Sequence, residues 1–300
     1  MPRLSRSGGR NVRLYGANDP TTELGGLFLT NGITNANFYS MVEIIIKFES
    51  EFSLWDGDGT MIKKDNHPLQ PGKYYIVATG SYQLTDESWM VRTTSLDSGT
   101  RVKDFSEAVR SRDCRCAVSG DVVPIFDGKP YYSGFEIAHI FPLAYEGLWK
   151  TYGYSSWITI PPKKGGTINS VQNGILLDAS VHKKFDNYDF SINPDDNYKI
   201  VFFMPDAKNL GGRYLDQELL NNPQRPVDQV LRWHFRQAVI ANMKGAGEPI
   251  FEHDFPPGSD IVGDILRGPK AGERMEFELF SRLGAQVELF AAGGRDGIAV

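Results

Sequence analysis

"NGILLDASVHKKFD", residues Asn173 to Asp186, reads as a turn, a strand and a helix in fourteen residues. Asn173-Gly174 is a turn dipeptide. Ile175 to Leu177 is an apolar run of strand type. Asp178 is a good N-cap, and it opens a helix from Ala179 to about Phe185. His182 lies inside that helix. After it, "FSINPDDNYKIVFF" gives two strands around Asn193-Pro194-Asp195.

Upstream, "FEIAHIFPLA" (Phe135 to Ala144) reads as a short strand ended by Pro142. Phe135, Ile137, Ile140 and Phe141 are apolar, yet Glu136 and His139 sit among them. Burying a carboxylate or an imidazole costs free energy unless something pairs with it. Strand side chains alternate, so Glu136 shares a face with Ala138.

Around these segments the chain is ordinary in composition. Its 300 residues are 41% hydrophobic and 12% aromatic, enough for real cores. There is no apolar run long enough to span a bilayer. The first residues, "MPRLSRSGGRNVRLYG", are basic without an apolar stretch, so no secretory signal is expected. Two cysteines, Cys114 and Cys116, are too few for a disulfide framework or a four-cysteine zinc site, and they are read as packing in a strand. An intracellular location, cytoplasm or nucleus, is expected, with no membrane partner. The net charge of −5 argues against whole-surface attraction to nucleic acid, so any such binding must use local basic patches.

The first hundred residues read as their own α+β module. "TNANFYSMVEIIIKF" places Phe38, Met41, Val42, Ile45 and Phe48 on one helical face. "PGKYYIVATGSYQL" reads as a strand and hairpin. "RVKDFSEAVRSRD" reads as a helix with Val102, Phe105 and Val109 inside and Arg101, Lys103, Arg110 and Arg112 mostly outside. "CRCAVSGD" is read as a strand and a turn. "PPKKGGTINSVQNG" is a loop carrying Lys163 and Lys164. In the last quarter, Pro226 opens a helix lined by Val227, Val230, Leu231, His234, Phe235 and Ala238. "AGERMEFELFSRLGA" reads as a second amphipathic helix.

His139, Asn173 and His182 thus fall in the order strand, turn, strand, helix. With "CAVSG" (Cys116 to Gly120), "AHIFP" (Ala138 to Pro142) and "NGILLDASVHKKFD", this order resembles the HNH endonucleases, from about Arg112 to Phe203. In its whole layout the chain looks like fungal proteins that carry this domain. The resemblance implies a ββα-metal fold, hence an α+β chain in three parts: a module over 1–99, the nuclease domain over 100–225 and a helical extension over 226–300. It implies metal-dependent hydrolysis of phosphodiester bonds, with DNA as the favoured substrate. His139 would be the general base, Asn173 would position it, and His182 would be a metal ligand.

Members of that family often carry Asp or His just before the first histidine, as a second ligand. Here the residue is Ala138, which ligates nothing. Glu136, one pleat away, is the candidate replacement, with hard-cation preference for carboxylate oxygen behind it. Glu136 and His182 are expected to converge on one divalent ion, Mg2+ first, with Mn2+, Zn2+ or Ni2+ as the others, while His139 faces the same cleft. Lys163, Lys164, Lys183 and Lys184 are the candidate phosphate contacts. A second reading is a catalytically silent nucleic-acid-binding or interaction module on the same fold. Taken singly, Asp186 reads as a helix-end partner, and His67, His234 and His253 as structural or exposed.

Overall fold

The alternation of buried and exposed residues in "VRLYG" builds the first strand, β1 (Val12–Gly16), where Val12 and Leu14 are fully buried and Arg13 between them is not. The computed structural model of the protein describes residues 6–90, 100–245 and 247. β1 pairs antiparallel with β2 (Asp19–Leu27). After α1 (Asn35–Ile45) come β3 (Ile46–Phe48), β4 (Phe52–Asp56), β5 (Gly72–Ala78) and β6 (Tyr82–Leu84). The sheet order is β2-β1-β5-β4, with β1 and β5 parallel and the other pairs antiparallel.

α1 begins at a capping box. Thr34 accepts from the Asn37 backbone, and the Asn37 side chain accepts from the Thr34 backbone. The helix ends earlier than its apolar spacing suggests. Phe48 lies in β3, which pairs with β6, so β6 joins that strand rather than forming a hairpin with β5.

The second half begins with α2 (Thr100–Arg112). A small hairpin follows, β7 (Ile125–Phe126) with β8 (Lys129–Pro130), closed by Asp127-Gly128 with positive φ at both. Then come β9 (Phe135–His139), α3 (Glu146–Thr151), β10 (Gly174–Asp178) and α4 (Ala179–Asp186). The hairpin of β11 (Phe190–Asn193) and β12 (Lys199–Phe202) leads through α5 (Gln217–Asn221) to α6 (Asp228–Met243). "CRCAVSGD" is a turn with one isolated bridge, Arg115 to Val122, rather than a strand; Cys116 is buried and Cys114 exposed. The helix expected over "AGERMEFELFSRLGA" and the loop with His253 lie outside the described residues.

The expectation of a self-contained N-terminal core is corrected by α6. Its first half, with Val230, Leu231 and Trp233, packs into the core of β9, β10 and α4. Its second half, with Phe235, Ala238, Val239, Ala241 and Met243, completes the core of α1 and the first sheet. A helix buried on most of its circumference needs apolar residues beyond one stripe, and Trp233, Val239, Ile240 and Met243 supply them. Arg10 caps this helix. Buried beside Glu23, it donates to the carbonyls of Asn242 and Gly245, which suits the negative end of a helix dipole.

Gly32, with φ of +85°, forms a second weld. A Cβ there would stand 2.2 Å from the Gly212 Cα, so the two backbones touch only because both residues are glycine.

Candidate active site

β9 and β10 form a two-stranded antiparallel ribbon with His139 opposite Gly174, Ala138 opposite Ile175 and Glu136 opposite Leu177. α4 follows β10 directly. Asp178 caps it by accepting from Ser180 N at 2.9 Å, and Ser180 together with Lys208 holds the Asp178 carboxyl below its ordinary range. At its other end, His234 of α6 stacks on Phe185 at 3.7 Å and engages the Phe185 carbonyl at 3.2 Å. The helix bearing His182 is therefore held at both termini.

The ribbon has two distinct faces. On the α4 face, Ala138, Ile175 and Leu177 pack with Val181 and Phe185. Here Glu136 reaches His182, with Oε2 2.6 Å from Nδ1. Asp186, one helical turn on, sets Oδ2 3.2 Å from Nε2 of the same ring. Both ring nitrogens face carboxylate oxygens. All three side chains are partly open to solvent.

The α2 face carries His139. Its ring lies on Phe105, 3.9 Å between centroids and 19° between planes, and its Nε2 is 3.2 Å from Asn169 Oδ1. A Cβ on Gly174 would stand 2.6 Å from Phe105 and Val109, so the missing side chain is what admits the Phe105 ring. The expectation that His139 shares one cleft with Glu136 and His182 is thus corrected. Residues three apart on a strand point to opposite faces, and the Phe105 stack holds the imidazole on the far side.

Asn173 is fully buried. Its amide donates to the carbonyls of Phe141 and Ile168 and accepts from Phe141 N at 2.8 Å. It fixes the backbone just after His139, while the side chain that meets the ring is Asn169. Arg112 departs from its expected exposed position. Its guanidinium is fully buried, pairs with Asp113, and donates to the carbonyls of Val171 and Gly174 at 2.9 and 2.8 Å. Asp113 in turn accepts from Leu176 N at 3.1 Å. This pair secures the turn that carries Asn173 and the start of β10.

Of the candidate phosphate contacts, Lys163, Lys164 and Lys183 are exposed. Lys184 is half-buried, donates to the Pro205 carbonyl and lies over the Phe202 ring. Sequence reasoning missed Asn169, Phe105 and Arg112. Nothing in "INSVQNG" marks Asn169 apart from Asn173, and Arg112 differs from its exposed neighbours only in where the helix ends.

A divalent cation would find two hard carboxylate oxygens and an imidazole nitrogen around His182, donors that suit Mg2+, Mn2+ or Zn2+. Among the described residues no group of three or more His, Cys, Asp or Glu is arranged to hold a metal ion. Glu136 and His182 are donors of the type a divalent ion takes, and holding one between them would require the Glu136–His182 hydrogen bond to open. Among the described residues no helix is long and apolar enough to cross a membrane.

No curated protein and no solved structure matches the chain. Residues 9–83, which hold the first sheet and α1, match a family described as a domain of unknown function (DUF8573). Residues 116–193, which contain β9, β10 and α4, match the family described as HNH endonuclease.

Proposed function

We propose that the protein is a metal-dependent endonuclease that hydrolyses phosphodiester bonds in DNA, with His139 as general base. The observation that carries this reading is the Glu136–His182 pairing at 2.6 Å, which joins the ribbon to α4 through two side chains of metal-ligating type. A divalent ion bound there would polarise the phosphate and stabilise the leaving oxygen. Phosphate and water oxygens would complete its shell.

The chain's own residues support the rest. Asn169 Oδ1, 3.2 Å from Nε2, orients the His139 ring, and that imidazole would take the proton from water. The Phe105 face favours the imidazolium formed in that step. Asn173 holds the Phe141 backbone and so fixes where the ring can sit. Among the described residues β9 has no further strand on its outer edge. A nucleic-acid backbone crossing that edge would have to bring one phosphate within reach of both faces, His182 and Glu136 on one and His139 on the other. Lys163, Lys164 and Lys183 supply exposed positive charge for phosphates.

The buried Ala138, at a position with no ligating atom, favours a second reading: a catalytically silent module that binds nucleic acid. Incubating the full chain with supercoiled plasmid and Mg2+ or Mn2+ separates the two. Nicking that stops on chelation supports the nuclease; DNA binding without any nicking supports the silent module.

A further inference from the structure

The connection from β9 to β10 carries a stack of aromatic rings that the proposed chemistry leaves unused. Tyr152 stacks on Tyr154, 5.6 Å between centroids and 29° between planes. Tyr154 stacks on Trp157 at 4.0 Å and 20°. The inner end is anchored: Tyr154 meets Phe141 at 5.6 Å, and Trp157 meets Trp149 at 5.9 Å, both edge-on. The outer end is open, with Tyr152 63% exposed.

Gly153, at φ of +68°, turns the backbone through the left-handed region and brings Tyr152 round onto Tyr154. The stack is thus preformed, so a further ring joining it costs little ordering of the protein. The ladder is tied to the candidate site through Phe141, whose backbone Asn173 holds on both sides.

Charge points to the occupant. Lys150 is paired with Glu146 at 2.9 Å, but from Gly147 to Leu177 the sequence has no acidic residue and carries Lys163 and Lys164, on a chain whose net charge is −5. Lys163 and Lys164 are exposed. An open aromatic face followed by the exposed Lys163 and Lys164 is the pairing that single-stranded nucleic acid uses, with a base on the ring and phosphates on the cations.

We infer that Tyr152 is the outer step of a stacking platform for an unpaired base of the nucleic acid engaged at the candidate site, with Lys163 and Lys164 holding the adjoining phosphates. This rests on the nucleic-acid reading proposed above. Tyr152 on its own is a positioning residue for that strand.

The test is fluorescence anisotropy of the full chain with a labelled oligothymidine and a duplex of equal length, in chelator so that nothing is cut. Tyr152→Ala is expected to weaken single-strand binding about tenfold, to leave duplex binding within about twofold, and to leave the salt slope unchanged. Tyr152→Phe, which keeps the ring, is expected to bind as the parent does. Replacing both Lys163 and Lys164 by Ala is expected to lower the salt slope by about one to two. The platform is overturned if Tyr152→Ala binds the single strand as tightly as the parent, or if it loses duplex binding to the same degree. If the parent binds and cuts while Tyr152→Ala is indistinguishable from it, the platform falls and the nuclease reading stands. If the parent binds through Tyr152 but never cuts with metal supplied, the platform stands and the nuclease reading falls. A parent that binds neither probe overturns both.

Discussion

The Phe105 ring lies face to face with the His139 imidazole because Gly174, directly across the ribbon, has no side chain to fill that space. One helix, one strand end and one glycine therefore set the orientation of the candidate base. Gly174→Ala forces a methyl to within 2.6 Å of Phe105 and Val109, both held in a packed cluster. The expected cost is about 1–3 kcal/mol of stability. The His139 ring should be displaced as well, so cleavage should fall by more than the unfolded fraction explains. Urea unfolding beside a cleavage rate checks this, and a variant as stable and active as the parent would sink the packing argument.

His139 and His182 occupy opposite faces of the ribbon, so their substitutions should separate. His139→Ala should lower cleavage by about 10²–10⁴-fold, the usual worth of general-base help, with metal affinity unchanged. His182→Ala should lose cleavage and metal affinity together, and Glu136→Gln should weaken the metal to a lesser degree. Isothermal calorimetry with Mn2+ beside plasmid nicking reads both quantities. Plasmid cut by His139→Ala at the parent rate would remove the general base from the mechanism.

Arg112 is buried against Asp113 and three backbone carbonyls, those of Val171, Gly174 and Gln224. Arg112→Ala leaves the Asp113 carboxylate in the interior without its cation. Breaking a buried pair from one side typically costs about 3–5 kcal/mol. Arg112→Lys should recover only part of it, because an ammonium cannot copy the planar fork. The readout is the urea midpoint of each variant. An alanine variant within about 0.5 kcal/mol of the parent would show that the pair is not a support of the β10 turn.

Burial pushes the Asp189 carboxyl up to about 6, with Arg6 and Lys184 opposing. The folded state therefore holds a proton that the unfolded chain releases near pH 4. Stability from this group is present below about pH 4 and falls as pH rises toward 6, by an amount on the order of 3 kcal/mol. Relative to Asp189→Asn, the parent should lose stability between pH 4 and pH 7. Denaturant melts at both pH values measure the difference, and parallel curves for parent and variant would contradict it.

The legible parts of this molecule are those whose causes sit close together in the chain. The Asn173-Gly174 turn, the apolar run and the Asp178 cap lie within a few residues, and β10 and α4 follow from them. The face of Glu136 follows from the two-residue period of a strand. The same period puts His139 on the other face, a consequence that the pull of a shared metal cleft obscures. Arg112, Phe105 and Asn169 were illegible because their partners come from other segments: Val171 and Gly174 for Arg112, and His139 for both Phe105 and Asn169. The sharing of two cores by α6 was hidden for a similar reason. Its apolar residues outside the expected stripe acquire meaning only when two separate surfaces are present to cover.

That helix also sets the timing of assembly. α6 leaves the ribosome after every other described element; the core of β9, β10 and α4 is not closed before Trp233 has emerged, nor that of the first sheet before Met243. A nascent chain stopped short of it carries β9, β10 and α4 with an open flank and His182 on a helix whose brace, His234, is missing. The candidate site is thereby completed only once α6 has emerged, and a translation product ending before that helix would not carry it in finished form.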